Sequence, residues 1–142
     1  MGKEDGFCNV DLEIGARSRA LLAPIMEQFE GQLFEMYTGR IRGLYRAHYE
    51  SAGRSRGRRR CNPTTVIHEL ADAIEGLNAT ARRAWKAAAM RDFNVGVEVA
   101  RGVWGAEHVI DPVAVRRVAA LHGRIVFTVY QPAPSKQSPP RK

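Results

Sequence analysis

The chain contains little cysteine: only Cys8 and Cys61 occur among its 142 residues. Neither belongs to a CxxC pair or to another spacing that is typical of metal sites. We therefore expect no disulfide scaffold and interpret both residues as free thiols of a cytosolic protein. A single domain of this length can bury roughly 70% of the surface that its unfolded chain exposes, so it needs no metal to fold.

The chain also lacks long apolar runs. No stretch approaches the ~20 apolar residues that a membrane span needs. The first ten residues, MGKEDGFCNV, contain no apolar core of the kind found in signal peptides. We therefore predict a cytoplasmic protein that has no membrane partner.

None of the common catalytic signatures is present in the sequence. A Walker-type phosphate loop, an HExxH motif and a G-x-S-x-G elbow are all missing. We interpret the histidines as capping or surface residues, because no partner motif accompanies His48, His68, His108 or His122. The sequence thus predicts no metal site and no cofactor, and it favours a binding protein over an enzyme.

Positive charge is in excess, and nearly all of it is arginine. The chain has 18 arginines and 4 lysines against 15 acidic residues, which gives a net charge of +7. This balance favours an anionic partner, either nucleic acid or an acidic protein. The charge is densest in GRSRGRRR (53–60), whose candidate anion contacts are Arg54, Arg56, Arg58, Arg59 and Arg60.

This arginine run has two interpretations. Five guanidinium groups can contact several phosphates, with an affinity that falls steeply as the salt concentration rises. Proteins that bind single strands also use aromatic side chains as stacking platforms, and the run contains none. We therefore favour a flexible basic loop (52–61) over a specific nucleic-acid contact.

Hydrophobic periodicity divides most of the chain into strands and helices. CNVDLEI and DFNVGVEVA alternate with period 2, as half-buried strands do, and RIVFTVY is apolar on nearly both faces, which predicts a central strand. Helical spacing occurs in RALLAPIMEQFEG, where Pro24 suits a first turn. Further helices are predicted to begin at Asn62-Pro63, Asn78 and Asp111-Pro112.

The segment QLFEMYTGRIRGLYRAHYE is compatible with a helix or with two strands. A helix would contain Gly39 and Gly43 in its interior, each at a cost of about 1 kcal/mol. Ten residues of near-perfect period 2, from Ile41 to Glu50, instead predict a hairpin that turns near Thr38-Gly39-Arg40.

These elements predict an α+β fold with the order β-α-β-β-α-α-β-α-β. We expect a mixed sheet of about five strands with helices mainly on one face. NVDLEIGAR (9–17) is similar to NVGVEVARG (94–102), which indicates two related β-α-β halves or only the shared needs of such units. The domain is expected to span 8–131, between a disordered N-terminus (1–7) and a disordered proline-rich tail (132–142).

Four strand patterns also resemble a family of small bacterial α+β proteins of uncharacterised function. The patterns are VDLEIGARS, GRIRGLYRAHYE, RDFNVGVEVARG and HGRIVFTVYQP, and the resemblance covers roughly residues 9–132. It implies a bacterial, cytosolic α+β domain and carries over no activity, substrate or site residue. The chain departs from the family at 53–60, where a less basic loop would be expected.

One face of the predicted sheet is polar. If helices cover the other face, alternation places one set of side chains on a common surface: Asp11, Glu13, Arg40, Arg42, Arg46, His48, Glu98, Thr128 and Tyr130. Carboxylates beside arginines can bind a polar ligand. The alternative is a solvated face whose cross-strand ion pairs contribute at most ~1 kcal/mol each.

Three functions remain open at this point. The favoured one is a small cytosolic binding or interaction domain that uses the polar face or a strand edge, where a second copy can pair. The second is nucleic-acid binding through the arginine run. The third is an enzyme at Asp11, Glu13, Glu98 and His48, which would require Glu13 and Glu98 to lie close together.

Overall fold

The computed structural model describes residues 7–52, 62–99, 101–102 and 104–131. The strands are β1 (Phe7–Ala16), β2 (Leu33–Ile41), β3 (Leu44–Ser51), β4 (Met90–Glu98) and β5 (Arg124–Tyr130). The helices are α1 (Arg19–Phe29), α2 (Pro63–Glu75), α3 (Ala79–Ala87) and α4 (Pro112–Ala120). This order confirms the predicted α+β fold.

The strands form one mixed sheet in the order β2-β3-β1-β4-β5. β1 is antiparallel to β3 and β4, β2 is antiparallel to β3, and β5 is parallel to β4. Because β3 lies between β1 and β2, the first unit is a split β-α-β arrangement. In the second unit β4 and β5 pair directly, so the two β-α-β units differ in topology.

The hydrophobic core lies between the helices and one face of the sheet. Val10, Leu12 and Ile14 of β1 have no exposed surface, and they belong to one cluster with buried residues of all four described helices. Full burial of each such side chain contributes roughly 1.5–3 kcal/mol. The residues between them in β1 are polar, so the described helices leave the opposite face of the sheet uncovered.

Short polar side chains fix where three of the helices begin. The side chains of Asn62, Asn78 and Asp111 accept hydrogen bonds from the backbone N–H groups of Thr64, Ala81 and Ala114 at 2.8, 2.9 and 2.9 Å. These caps confirm the predicted helix starts. The helix α1 begins at Arg19, the first residue of the predicted helical segment, but the placement of Pro24 in its first turn is wrong, because Pro24 lies inside the helix.

The predicted hairpin exists, but its turn was placed wrongly. The two-residue turn is Arg42-Gly43, and both residues have positive φ, 51° and 86°. Two consecutive positive φ angles are the signature of a type I′ turn, whose twist matches that of the flanking strands. β2 therefore continues through Gly39, which pairs with Arg46, and ends at Ile41.

The prediction that RIVFTVY is a central strand is also wrong. This segment is β5, which lies at the edge of the sheet beyond β4. Its side chains Phe127 and Val129 are 62% and 68% exposed. An apolar pattern on both faces indicates that both faces need cover, but it does not specify that the cover comes from the same chain.

None of the helices within the described residues is long and apolar enough to cross a membrane. Residues 1–6, 53–61, 100, 103 and 132–142 lie outside the description. The predicted basic loop and nearly all of the two predicted disordered ends fall on these residues and stay predictions.

Candidate functional site on the open sheet face

The face of the sheet opposite the described helices, called here the open face, is built from odd-numbered β1 residues and their cross-strand neighbours. Glu13 pairs with His48 of β3 and with Asp92 of β4. Asp11 pairs with Glu50 and with Asn94. Because directly opposite Cβ atoms lie about 4.5–5.5 Å apart, side chains from three strands meet here.

A chain of polar contacts crosses all five strands of this face. Thr128 Oγ1 donates to Asn94 Oδ1 at 2.8 Å, and Asn94 Nδ2 donates to Glu13 Oε2 at 3.2 Å. The same Glu13 oxygen lies 3.9 Å from His48 Nδ1. The His48 ring lies 5.4 Å from the ring of Tyr37 on β2. We call these five residues the polar row.

Carboxyl groups are concentrated beside the polar row. Burial, Glu50 and Glu13 together raise the pKa of Asp11 from its ordinary 3.8 to about 6. Asn9 donates a side-chain hydrogen bond to the Asp11 carboxyl at 3.3 Å. The charge of Asp11 therefore changes close to neutral pH, and the group responds to any charge that binds nearby.

His48 lies between the carboxyl groups and the hairpin arginine. Burial lowers the pKa of its imidazole, Glu13 opposes that shift, and Arg46 reinforces it. The Nε2 atom of His48 and the Nε atom of Arg46 are buried and make no hydrogen bond in the described part of the chain. Buried nitrogen atoms without partners indicate a position where a bound molecule can complete the hydrogen bonding.

On the β5 side of the open face, Arg124 of β5 forms an ion pair with Asp92 of β4. Arg124 Nε and an Arg124 terminal nitrogen donate to the two carboxyl oxygens of Asp92, both at 2.8 Å. This bidentate contact raises the pKa of Arg124 and covers Asp92, which is only 5% exposed. Asp92 is therefore engaged within the fold and is not offered to a ligand.

Two predicted members of the polar face lie elsewhere. Arg40 pairs with Tyr45, which packs against the core, so it lies on the helix-covered side and donates to Arg17 O at 3.1 Å. Arg42 forms the hairpin turn. The misplaced turn explains both errors, because a turn at Arg42-Gly43 leaves Arg40 in β2 opposite Tyr45 and removes Arg42 from the strand.

Glu98 and Tyr130 lie at one end of the open face, away from Glu13. They pair with each other, whereas Glu13 pairs with Asp92, six residues earlier in β4. At ~3.3 Å per residue this offset is about 20 Å, so Glu13 and Glu98 do not form the acid–base pair that the enzyme hypothesis required.

Four residues of this site were missing from the sequence prediction: Tyr37, Glu50, Asp92 and Asn94. The signal was available for Glu50, which shares the parity of His48 in β3, and for Asp92 and Asn94, which share the parity of Glu98 in β4. Tyr37 could not be placed, because a bulge between Glu35 and Tyr37 interrupts the alternation of β2.

The open face is acidic although the chain as a whole is basic. Its carboxylates are Asp11, Glu13, Glu50, Asp92 and Glu98, and its guanidinium groups are those of Arg46 and Arg124. Within the described residues, five carboxylates against two guanidinium groups leave an excess of three negative charges on this face when all are ionised.

An apolar rim borders the acidic part of the open face. Phe34 and Tyr37 of β2 are 46% and 41% exposed, and they lie opposite Glu50 and His48 respectively. Within the described residues, no group of three or more His, Cys, Asp or Glu is arranged to hold a metal ion. The site thus consists of carboxylates, one imidazole and an aromatic border.

Comparisons with known proteins found no match to the chain. No model of a protein family matches it, and no similar chain was found among curated proteins or among solved structures. The resemblance to small bacterial proteins therefore stays a prediction. The arginines at 54–60 lie outside the described residues, so their role as anion contacts also stays a prediction.

Proposed function

We propose that this protein is a non-enzymatic binding domain whose open face binds a cationic group, either an ammonium or a guanidinium. The observation that carries the proposal is the excess of carboxylates on a face that belongs to a basic chain. Asp11, Glu13 and Glu50 share that face, on two paired strands. The cation can belong to a small amphipathic molecule or to a basic side chain of a protein partner.

The raised pKa of Asp11 supports a cation as the ligand. Burial and repulsion by the charges of Glu50 and Glu13 together raise the pKa of Asp11 to about 6, so Asp11 is about half protonated at pH 6. A bound cation relieves this repulsion and stabilises the ionised form. Binding must therefore release protons near pH 6, and the affinity must increase as the pH rises through that value.

The aromatic border favours a cation that carries an apolar part. Tyr37 and Phe34 stand beside His48 and Glu50, so an alkyl chain can pack against the rings while its charged end reaches the carboxylates. A cation over an aromatic ring contributes a further ~0.5–1 kcal/mol at an exposed site. Partner basic residues such as lysine and arginine have this chemistry.

Calorimetric titration with three small probes of different charge tests the proposal. At pH 7.5 n-butylammonium should bind, whereas n-butanol and n-butyrate should bind at least tenfold more weakly. The double variant Glu13→Gln/Glu50→Gln should weaken n-butylammonium binding at least tenfold, because charged hydrogen bonds contribute roughly 1.5–3 kcal/mol each. The control Glu27→Gln/Glu30→Gln removes two exposed carboxylates of α1 and its C-cap and should leave binding unchanged.

Two results would contradict the proposal. Equal affinity for n-butylammonium and n-butyrate would show that charge does not select the ligand. Equal weakening by the two double variants would show that binding follows the net charge of the chain and not the open face.

An acid–base enzyme at the same face is the second candidate. It is favoured by one observation. Asp11, whose pKa is raised to about 6, lies two positions along β1 from Glu13, the residue that pairs with His48. Hydrolysis of p-nitrophenyl acetate and p-nitrophenyl phosphate should then exceed the buffer rate, with a limb near pH 6 that Asp11→Asn abolishes. A rate equal to that of buffer for both esters would argue against this candidate.

A further inference from the structure

The two edges of the sheet are protected very differently. The β2 edge has a bulge between Glu35 and Tyr37, and it carries charged Glu35 and Arg40 on the helix-covered side. Bulges and inward-pointing charges are the usual devices that prevent an edge strand from pairing with another chain. β5 has neither: its pairing with β4 is regular, and its single charge, Arg124, is held by Asp92.

The β5 edge also exposes apolar side chains on the side of the sheet that faces the helices. Phe127 and Val129 pair with Val95 and Val97 of β4 and so point to the helix-covered side. Val95 is fully buried, yet Phe127 and Val129 are 62% and 68% exposed. α4 reaches β5 only far enough to half-bury Ile125. The core is thus incomplete at this edge.

We propose that β5 pairs antiparallel with β5 of a second copy, about a two-fold axis at Phe127. Ile125 then lies opposite Val129 of the second copy, and the two Phe127 rings lie opposite each other. These contacts fall on the helix-covered side and extend the core across the interface. On the open face Val126 lies opposite Thr128, and Arg124 opposite Tyr130, so no like charges face each other.

The sequence beyond β5 favours a second copy over the protein's own tail as the occupant. Four of the twelve residues from Gln131 to Lys142 are proline: Pro132, Pro134, Pro139 and Pro140. Proline has no N–H to donate to a strand ladder. A segment in which four of twelve residues lack this donor would leave gaps in a ladder along the seven residues of β5.

This pairing has a geometric consequence for the open face. An in-plane antiparallel pair has its two-fold axis perpendicular to the sheet, so both open faces lie on the same side. The two five-stranded sheets become one sheet of ten strands. The two polar rows then approach each other end to end, since each one ends at Thr128 of β5.

Sedimentation velocity of the full chain tests the pairing. The expected mass is twice the 15.8 kDa of one chain at micromolar concentration. Phe127→Lys places two lysines opposite each other and Val129→Lys buries one against Ile125, so each should weaken dimerisation at least tenfold. The control Met36→Lys changes a 51% exposed side chain on the β2 edge and should leave the dimer intact. A monomer at all concentrations, or a dimer lost only in Met36→Lys, would overturn the proposal.

Cysteine cross-linking tests the register independently of affinity. In a C8S/C61S background, Phe127→Cys should form a disulfide-linked dimer rapidly on mild oxidation, since the two thiols lie opposite each other. Val129→Cys should cross-link at least tenfold more slowly, because its symmetry mate is displaced by four residues along the strand, about 13 Å. Equal rates for the two variants, or faster cross-linking of Val129→Cys, would refute the proposed axis.

Discussion

Substitution of Asp11 by asparagine should stabilise the protein at neutral and basic pH. Asparagine has nearly the same shape as the carboxyl group and keeps the acceptor for the Asn9 hydrogen bond. It removes a negative charge that burial disfavours and that Glu50 and Glu13 repel. A polar-for-charged change at a half-buried position is thus expected to raise the free energy of unfolding.

The size of the effect follows from the pKa of Asp11. The value rises from 3.8 when unfolded to about 6 when folded, and each pKa unit corresponds to about 1.36 kcal/mol. The product is about 3 kcal/mol, which screening by water at a half-buried group reduces to roughly 2–3 kcal/mol. Below pH 3.8 the Asp11 carboxyl group is protonated in both the folded and the unfolded state. As the pH rises from 3.8 through about 6, the free energy of unfolding of the parent chain falls, because the unfolded state releases this proton first.

Urea denaturation of both proteins at several pH values measures this difference. Asp11→Asn should be more stable than the parent chain by roughly 2–3 kcal/mol at pH 8 and equally stable near pH 3.5. The control Glu27→Gln removes an exposed carboxylate from the same basic chain and should not reproduce the gain. If Asp11→Asn is less stable at pH 8, or if its gain does not change with pH, the account of Asp11 is wrong.

Three further predictions concern packing, the hairpin turn and the arginine run. Gly123→Ala places a methyl group 2.8 Å from the Phe93 ring and should reduce the free energy of unfolding by about 1–3 kcal/mol; the control Gly105→Ala, with open space around it, should not. Gly43→Ala should destabilise by about 1–2 kcal/mol, because φ is +86°; Gly43→Asn should recover part of the loss in the same thermal melts. Replacing the five arginines of 53–60 by serine should weaken binding to a generic oligonucleotide and flatten its salt dependence; unchanged binding would remove this segment from any role in anion binding.

Much of the fold could be predicted because its signals are local. The helix caps at Asn62, Asn78 and Asp111 each depend on residues within three positions. Apolar residues alternate with polar residues or glycine from Asn9 to Ile14 in β1 and from Phe93 to Glu98 in β4, so period 2 identifies both the strand and its core-facing side. Such features need no knowledge of which elements are neighbours.

The hairpin shows how one misplaced turn changes a functional conclusion. Thr38-Gly39-Arg40 and Arg42-Gly43 both contain a glycine, and only the second has two positive φ angles. A shift of the turn by three residues moves Arg40 to the other face of the sheet and Arg42 into the turn. The predicted mixed face, rich in arginine, is therefore an acidic face.

The polar row could not be predicted, because it depends on register between distant segments. Asn94 and Glu13 form a hydrogen bond although they are 81 positions apart in sequence. The order of the strands, which no local pattern encodes, decides that β4 lies beside β1 and that β5 lies at the edge. Side-chain chemistry indicated the right residue types, and topology determined which of them meet.

The most direct test of the acidic open face is a map of backbone amide shifts, by ¹H–¹⁵N NMR, during titration with n-butylammonium at pH 7.5. The account predicts that the largest shifts occur at Asp11, Glu13, His48 and Glu50, and that n-butyrate leaves those amides unmoved. Shifts confined to the helices, or larger shifts of these four amides with n-butyrate, would contradict it.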